Sequence, residues 1–80
     1  MKIPRNLKGS SLIKHLSTLG YEVTRQLGSH VRLTTALNGQ HHITVPNHNP
    51  IKVGTLSAIL GQIAKHHGMT KSELIEQLFN

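Results

Sequence analysis

The chain has 80 residues, with nine Lys/Arg against three acids and a formal net charge of +6. That length builds one modest core in a single domain, and the charge calls for a polyanionic partner, nucleic acid or an acidic protein or both, with a membrane surface disfavoured because no basic amphipathic helix carries bulky aromatics to insert. Cysteine is absent, which excludes disulfides and thiolate-ligated metals, and no apolar run reaches membrane-spanning length.

Residues 1–9 read as a basic, loosely held arm. Met1 to Leu12 lacks the apolar core of a signal peptide, so a cytoplasmic location is expected. Ser10 or Ser11 is suited to cap a first helix, in which Leu12, Ile13, Leu16 and Leu19 form the apolar stripe and Lys14 and His15 fall away from it. Gly20 supplies the stop. Tyr21–Leu27 reads as a strand, Gly28-Ser29 as a turn, and His30–Thr35 as a second strand with clean alternation. His41–Pro46 is a third strand, with His41, Ile43 and Val45 on one face and His42 and Thr44 on the other. The only aromatics are Tyr21 and Phe79, so the core is built from Leu, Ile and Val.

Asn38-Gly39 suggests a two-residue hairpin, but that register would set Leu33 opposite Thr44. Opposed residues share a face. A three-residue loop with Gly39 at positive φ instead pairs Leu33 with Ile43, Val31 with Val45, Arg32 with Thr44, Thr34 with His42, and His30 with Pro46. The polar face is then His30, Arg32, Thr34, His42 and Thr44. Residues 46–54 form a turn-rich loop. Thr55 is placed to cap a helix carrying Leu56, Ile59, Leu60 and Ile63, which Gly68 ends. Thr70-Lys71-Ser72-Glu73 has the form of a capping box, and it opens a C-terminal helix within 69–80 that carries Leu74, Ile75, Leu78 and Phe79. The expected fold is α+β, in the order α-β-β-β-α(-α). Its three-stranded antiparallel sheet carries the helices on the Val31/Leu33/Ile43/Val45 face.

Histidine titrates near neutrality and moves protons, and arginine holds phosphate. A Gly28-Ser29 turn that delivers His30 onto a strand near Arg25 and Arg32 is therefore a compact way to build an RNA-cleaving site. Arg25 shares its parity with Val23, which would set it at the edge of the buried face. The paired histidines point elsewhere. His41 and His42 are strand neighbours on opposite faces and cannot chelate together. His66 and His67 sit where they complement a helix dipole. No histidine pair has the i, i+4 spacing of a helical zinc site, so neither metal nor cofactor is expected.

The ordered set Gly28-Ser29-His30, His42-Ile43-Thr44-Val45-Pro46, His48, Gly54-Thr55-Leu56 and Ile59-Leu60 resembles the HicA family, across about residues 8 to 63. These are the small mRNA-interferase toxins of HicAB toxin–antitoxin pairs. The resemblance implies a fold like the double-stranded RNA-binding domain, endoribonuclease activity on mRNA, and neutralisation by a HicB-like antitoxin. It maps the family's catalytic histidine onto His30. The segment after Leu60 is longer than in familiar members, and the chain is unusually rich in histidine.

RNA carries its own nucleophile, the 2′-hydroxyl, so a base, a proton donor and phosphate-binding cations suffice without a metal. His30 is the candidate general base. His48 is the second catalytic candidate, because its loop starts beside His30 at Pro46. His42 lies four residues along the sheet, roughly 13 Å away. The Gly28-Ser29 turn with Arg25, Arg32, Lys8 and Lys52 makes up the candidate RNA contacts. A competing reading is a non-catalytic nucleic-acid-binding module. In it, residues 56–79 form a helix-turn-helix that presents Lys71 and Ser72, although the apolar positions of the last helix favour a plain helical hairpin. A third reading is an interaction domain whose basic face docks an acidic protein.

Overall fold

The computed structural model describes residues 3–79. The elements run α1 (Gly9–Leu16), a 3-10 turn (Ser17–Leu19), β1 (Glu22–Leu27), β2 (His30–Thr35), β3 (His41–Pro46), α2 (Val53–His66) and α3 (Lys71–Phe79). The strands form one antiparallel sheet in the order β1-β2-β3. The architecture is α+β in the expected order and is consistent with a double-stranded RNA-binding-domain-like fold. Among the described residues, no helix is long and apolar enough to cross a membrane.

The β2–β3 register is the one that the alternation demands: Val31 opposite Val45, Arg32 opposite Thr44, Leu33 opposite Ile43, Thr34 opposite His42 and His30 opposite Pro46. Any one-residue slip would bury Arg32 and expose Leu33. The connecting loop holds Asn38 at φ 59° and Gly39 at φ 96°. Val31, Leu33, Ile43 and Val45 are buried with Leu12 and Leu16 of α1, Leu56, Ile59, Leu60 and Ile63 of α2, and Leu74, Ile75 and Leu78 of α3. The helical layer does not reach β1, which is exposed along its whole length.

Several local expectations are corrected by tertiary contacts. The segment expected to be a loose arm is anchored from its first described residue. Ile3 and Leu7 pack on the core, and the Leu7 carbonyl accepts from the Ile51 N–H at 2.8 Å; Met1 and Lys2 lie outside the described residues. Neither Ser10 nor Ser11 caps α1. The helix starts at Gly9, after Lys8. The Gly9 N–H is satisfied by the His48 carbonyl at 2.9 Å, so no side-chain cap is needed there. A Cβ on Gly9 would stand 2.6 Å from the Pro46 carbonyl oxygen, so only glycine lets α1 lie this close to the β3 exit. Thr55 is not a cap either. Helix α2 begins at Val53, as soon as the chain leaves the buried anchor Ile51. His15 does not fall away from the packing; its ring meets Phe79 edge-on, with centroids 4.9 Å apart.

The capping box forms as expected. Thr70 Oγ1 accepts from the Glu73 N–H at 3.1 Å, and Glu73 Oε1 accepts from the Thr70 N–H at 2.8 Å. Helices α2 and α3 pack as a hairpin, and Lys71 Nζ donates to Ser57 Oγ of α2 at 2.7 Å. The Lys71 side chain that would help lead a recognition helix is thus tied to α2.

Candidate functional site

The β1–β2 connection is the two-residue turn Gly28-Ser29, with Leu27 opposite His30. Gly28 has φ +57° and Ser29 does not join it at positive φ, the pattern of a II′ hairpin turn. The Ser29 carbonyl accepts from the Asn47 N–H at 2.6 Å. That bond holds the loop after β3 against the turn, at the end of the ladder where His30 faces Pro46.

Arg25 does not sit at the edge of the buried face. Pairing runs Val23 to Leu33 and then Arg25 to Arg32, with the register slipping at Thr24. A β-bulge inserts one residue and reverses the parity of the strand beyond it. Arg25 and Leu27 therefore join Arg32 and His30 on the open face. Arg25, Leu27, His30, Arg32 and Thr44 line a concavity of about 210 Å³. Two guanidiniums stand opposite each other here, and neither forms an ion pair among the described residues. Like charges directly opposed across strands are unfavourable, and an anion seated between them would relieve that repulsion. Leu27, 63 % exposed, adds an apolar wall that sequence reasoning missed. The two-residue turn was the available signal, since it makes Leu27 the cross-strand partner of His30.

The remaining candidates gather at the neighbouring corner. Segment 7–9 runs beside 48–51 through the Leu7–Ile51 and Gly9–His48 backbone bonds. Exposed Lys8 and Lys52, which precede α1 and α2, thus flank His48. The His48 ring is not among the groups lining the Arg25/Arg32 concavity.

A second titratable cluster occupies the opposite end of the β2–β3 ladder, on the covered side. Tyr21 Oη lies 2.7 Å from His41 Nδ1 and 3.1 Å from His67 Nε2. His67 Nδ1 lies 3.1 Å from Asn38 Nδ2. The His66 ring stacks on His41 at 4.3 Å, and its Nε2 donates to the Leu37 and Gly39 carbonyls at 3.2 and 3.0 Å. His66 and His67 are thus members of a network as well as neighbours of a helix C-terminus. His41 and His42 diverge as expected, since His42 Nδ1 meets Thr34 Oγ1 on the open face at 2.8 Å. Burial pushes the Tyr21 hydroxyl up to about 12. Burial, then repulsion among the rings, holds His41 and His67 below the ordinary 6.5. No group of three or more His, Asp or Glu among the described residues is arranged to hold a metal ion.

A search of curated proteins and a search of solved structures each found no significant match. A family model described as the HicA toxin of bacterial toxin–antitoxin systems matches residues 9–69, about three quarters of the chain. The match runs from the glycine that seats α1, through the bulged strand and the Gly28-Ser29-His30 turn, into the α2–α3 connection. The chain belongs to the HicA toxin family.

Proposed function

We propose that this toxin is a metal-independent endoribonuclease that cleaves mRNA in the cytoplasm, with His30 as general base. The observation that carries the reading is the cross-strand pair Arg25–Arg32 beside His30, an unneutralised cationic seat next to a proton-transfer group. A phosphodiester held by the two guanidiniums presents its ribose to His30. The imidazole takes the 2′-hydroxyl proton, and the oxygen attacks phosphorus in line. The bond to the 5′-oxygen breaks, and a donor returns a proton to it. The products are a 2′,3′-cyclic phosphate and a free 5′-hydroxyl. His48 is the candidate donor, because its loop is pinned to the Gly28-Ser29 turn. Lys8 and Lys52 extend the cationic surface around it. The carboxylates support the metal-free reading: Glu22 lies on the sheet, while Glu73 and Glu76 lie on α3.

A HicB-like antitoxin would cover this basic face and occlude His30. The deciding experiment is incubation of the protein with a defined single-stranded RNA in EDTA, with and without the antitoxin. Cleavage leaving cyclic-phosphate ends is expected, and the antitoxin should suppress both cleavage and RNA binding. RNA bound but left intact would favour the non-catalytic binding module. RNA and antitoxin bound together would show that the antitoxin docks elsewhere.

Arg32→Gln is expected to raise KM about tenfold and to reduce the salt dependence of RNA binding by about one phosphate contact. An unchanged salt slope would remove Arg32 from the phosphate seat.

A further inference from the structure

The open face changes character along the strands. Beyond the arginine tier, two residues further along β2, Glu22 faces Thr34 and Thr34 faces His42. The bulge adds Thr24 to this tier, with its Oγ1 2.9 Å from Thr34 Oγ1. Glu22, Thr24, Thr34 and Gln40 are among the residues lining a depression of about 620 Å³, roomy enough for a nucleobase. Glu22 is the one carboxylate on the sheet. Glu73 is committed to the α3 cap, and Glu76 lies on α3. An isolated acid on a face otherwise built to attract phosphate needs a reason.

We propose that Glu22, supported by Thr24 and Thr34, is a base-reading subsite. It accepts a hydrogen bond from the exocyclic amino group of a nucleobase next to the phosphate held by Arg25 and Arg32. The inference rests on the ribonuclease reading and deepens it by naming the substrate as single-stranded RNA with adenine, cytosine or guanine at that position. Three features carry it. A carboxylate repels a phosphodiester and accepts from an amino N–H, so a nucleotide passing this tier turns its base edge to the sheet and its phosphate away. Two strand residues advance about 7 Å, comparable to the phosphate repeat of an extended RNA strand. A strand laid along β2 therefore brings successive nucleotides to successive tiers. The depression also offers acceptors and donors from Glu22, Gln40 and two hydroxyls, and no aromatic ring lines it to bind every base alike; the one ring in the tier, His42, is bonded to Thr34. Tyr21 is buried and Phe79 packs on His15. Uracil fits this tier worst. Its single N–H is flanked by two carbonyl oxygens that face the carboxylate.

The test is cleavage of an RNA pool randomised around one cut site, with fragments sequenced for wild type and Glu22→Gln. Wild type is expected to disfavour uracil about tenfold at one position within two nucleotides of the cut, the scale of one hydrogen bond to a charged group. Glu22→Gln should relax that preference while melting at the wild-type temperature. Thr34→Val should relax it as well, because it removes the hydroxyl beside Glu22. Cleavage by wild type with no bias against uracil, or with a bias that Glu22→Gln retains, overturns the inference and leaves the ribonuclease reading standing. No cleavage of any RNA by wild type overturns both.

Discussion

His30→Ala is expected to lower RNA cleavage by about 10²- to 10⁴-fold, the usual worth of a positioned general base, while leaving the fold intact. His30 is exposed, and its place in the sheet is held by backbone pairing and by the Gly28-Ser29 turn. Truncating an exposed strand side chain typically changes stability by no more than about 0.5 kcal/mol. The core residues behind it, Val31 and Val45, are untouched by the change. The loss should fall on kcat, because the proposed phosphate seat is Arg25 and Arg32, and changes there should act mainly on KM. Added free imidazole should restore part of the activity, since the concavity vacated beside Leu27 and Thr44 can admit a small ring. A variant that melts normally and keeps more than a tenth of wild-type cleavage would remove His30 from proton transfer. A variant that fails to fold would assign it a structural role.

How much of this was legible in the sequence depends on what each segment had to satisfy. The β2–β3 pairing was readable because Val31, Leu33, Ile43 and Val45 must all reach one core, and a single register allows that. The turn was readable because glycine followed by serine between two strands has few alternatives. Strand β1 was not readable. It has no covered face, Val23 is itself 52 % exposed, and nothing in its composition penalises either parity. The bulge at Thr24 therefore left no hydrophobic trace, and Arg25 was expected on the wrong side. The helix starts failed for a related reason. A serine before an apolar stripe is a good cap only when no tertiary group satisfies the first N–H. At Gly9 the His48 carbonyl does so, from 39 positions away. The histidine network was invisible in principle, because its bonds join Tyr21 to His41 and His67, and His66 and His67 to the 37–39 loop. Of the candidate site, His30 and Arg32 lie on the open face as expected, and Gly28-Ser29 forms the expected turn. His48, Lys8 and Lys52 form an adjoining corner outside the arginine concavity.

Acidification below pH 6.5 is expected to destabilise the protein through the cluster at the far end of the ladder. Asn38 Nδ2 only donates, so His67 Nδ1 accepts and its proton sits on Nε2, facing Tyr21 Oη; the tyrosine hydroxyl then donates to His41 Nδ1. This chain of bonds needs both rings neutral. Burial, followed by repulsion from neighbouring rings, holds His41 and His67 below their ordinary 6.5. Lys65 shares a concavity with His41 and His66, and no carboxylate lines it. Below pH 6.5 the unfolded chain therefore binds more protons than the folded one. The contribution is complete above that pH and is lost as pH falls from 6.5 towards the lowered folded values. The Glu73 carboxyl, held low first by the Thr70 backbone N–H and then by its hydroxyl, acts only in a separate window below its ordinary 4.5. Tyr21→Phe should cost about 1–3 kcal/mol at pH 7.5, for two hydrogen bonds lost in a part-buried site. In a domain this size each kcal/mol lowers Tm by roughly 4–8 °C. The gap between wild type and Tyr21→Phe should then shrink between pH 6.5 and 5, as the wild type loses the same bonds by protonation. A gap that stays constant from pH 8 to 5 would show that His41 and His67 do not titrate with folding. The cluster lies at the opposite end of the ladder from His30. Loss of cleavage in acid that tracks the Tm would therefore belong to this end of the fold, and loss at constant Tm would belong to the site itself.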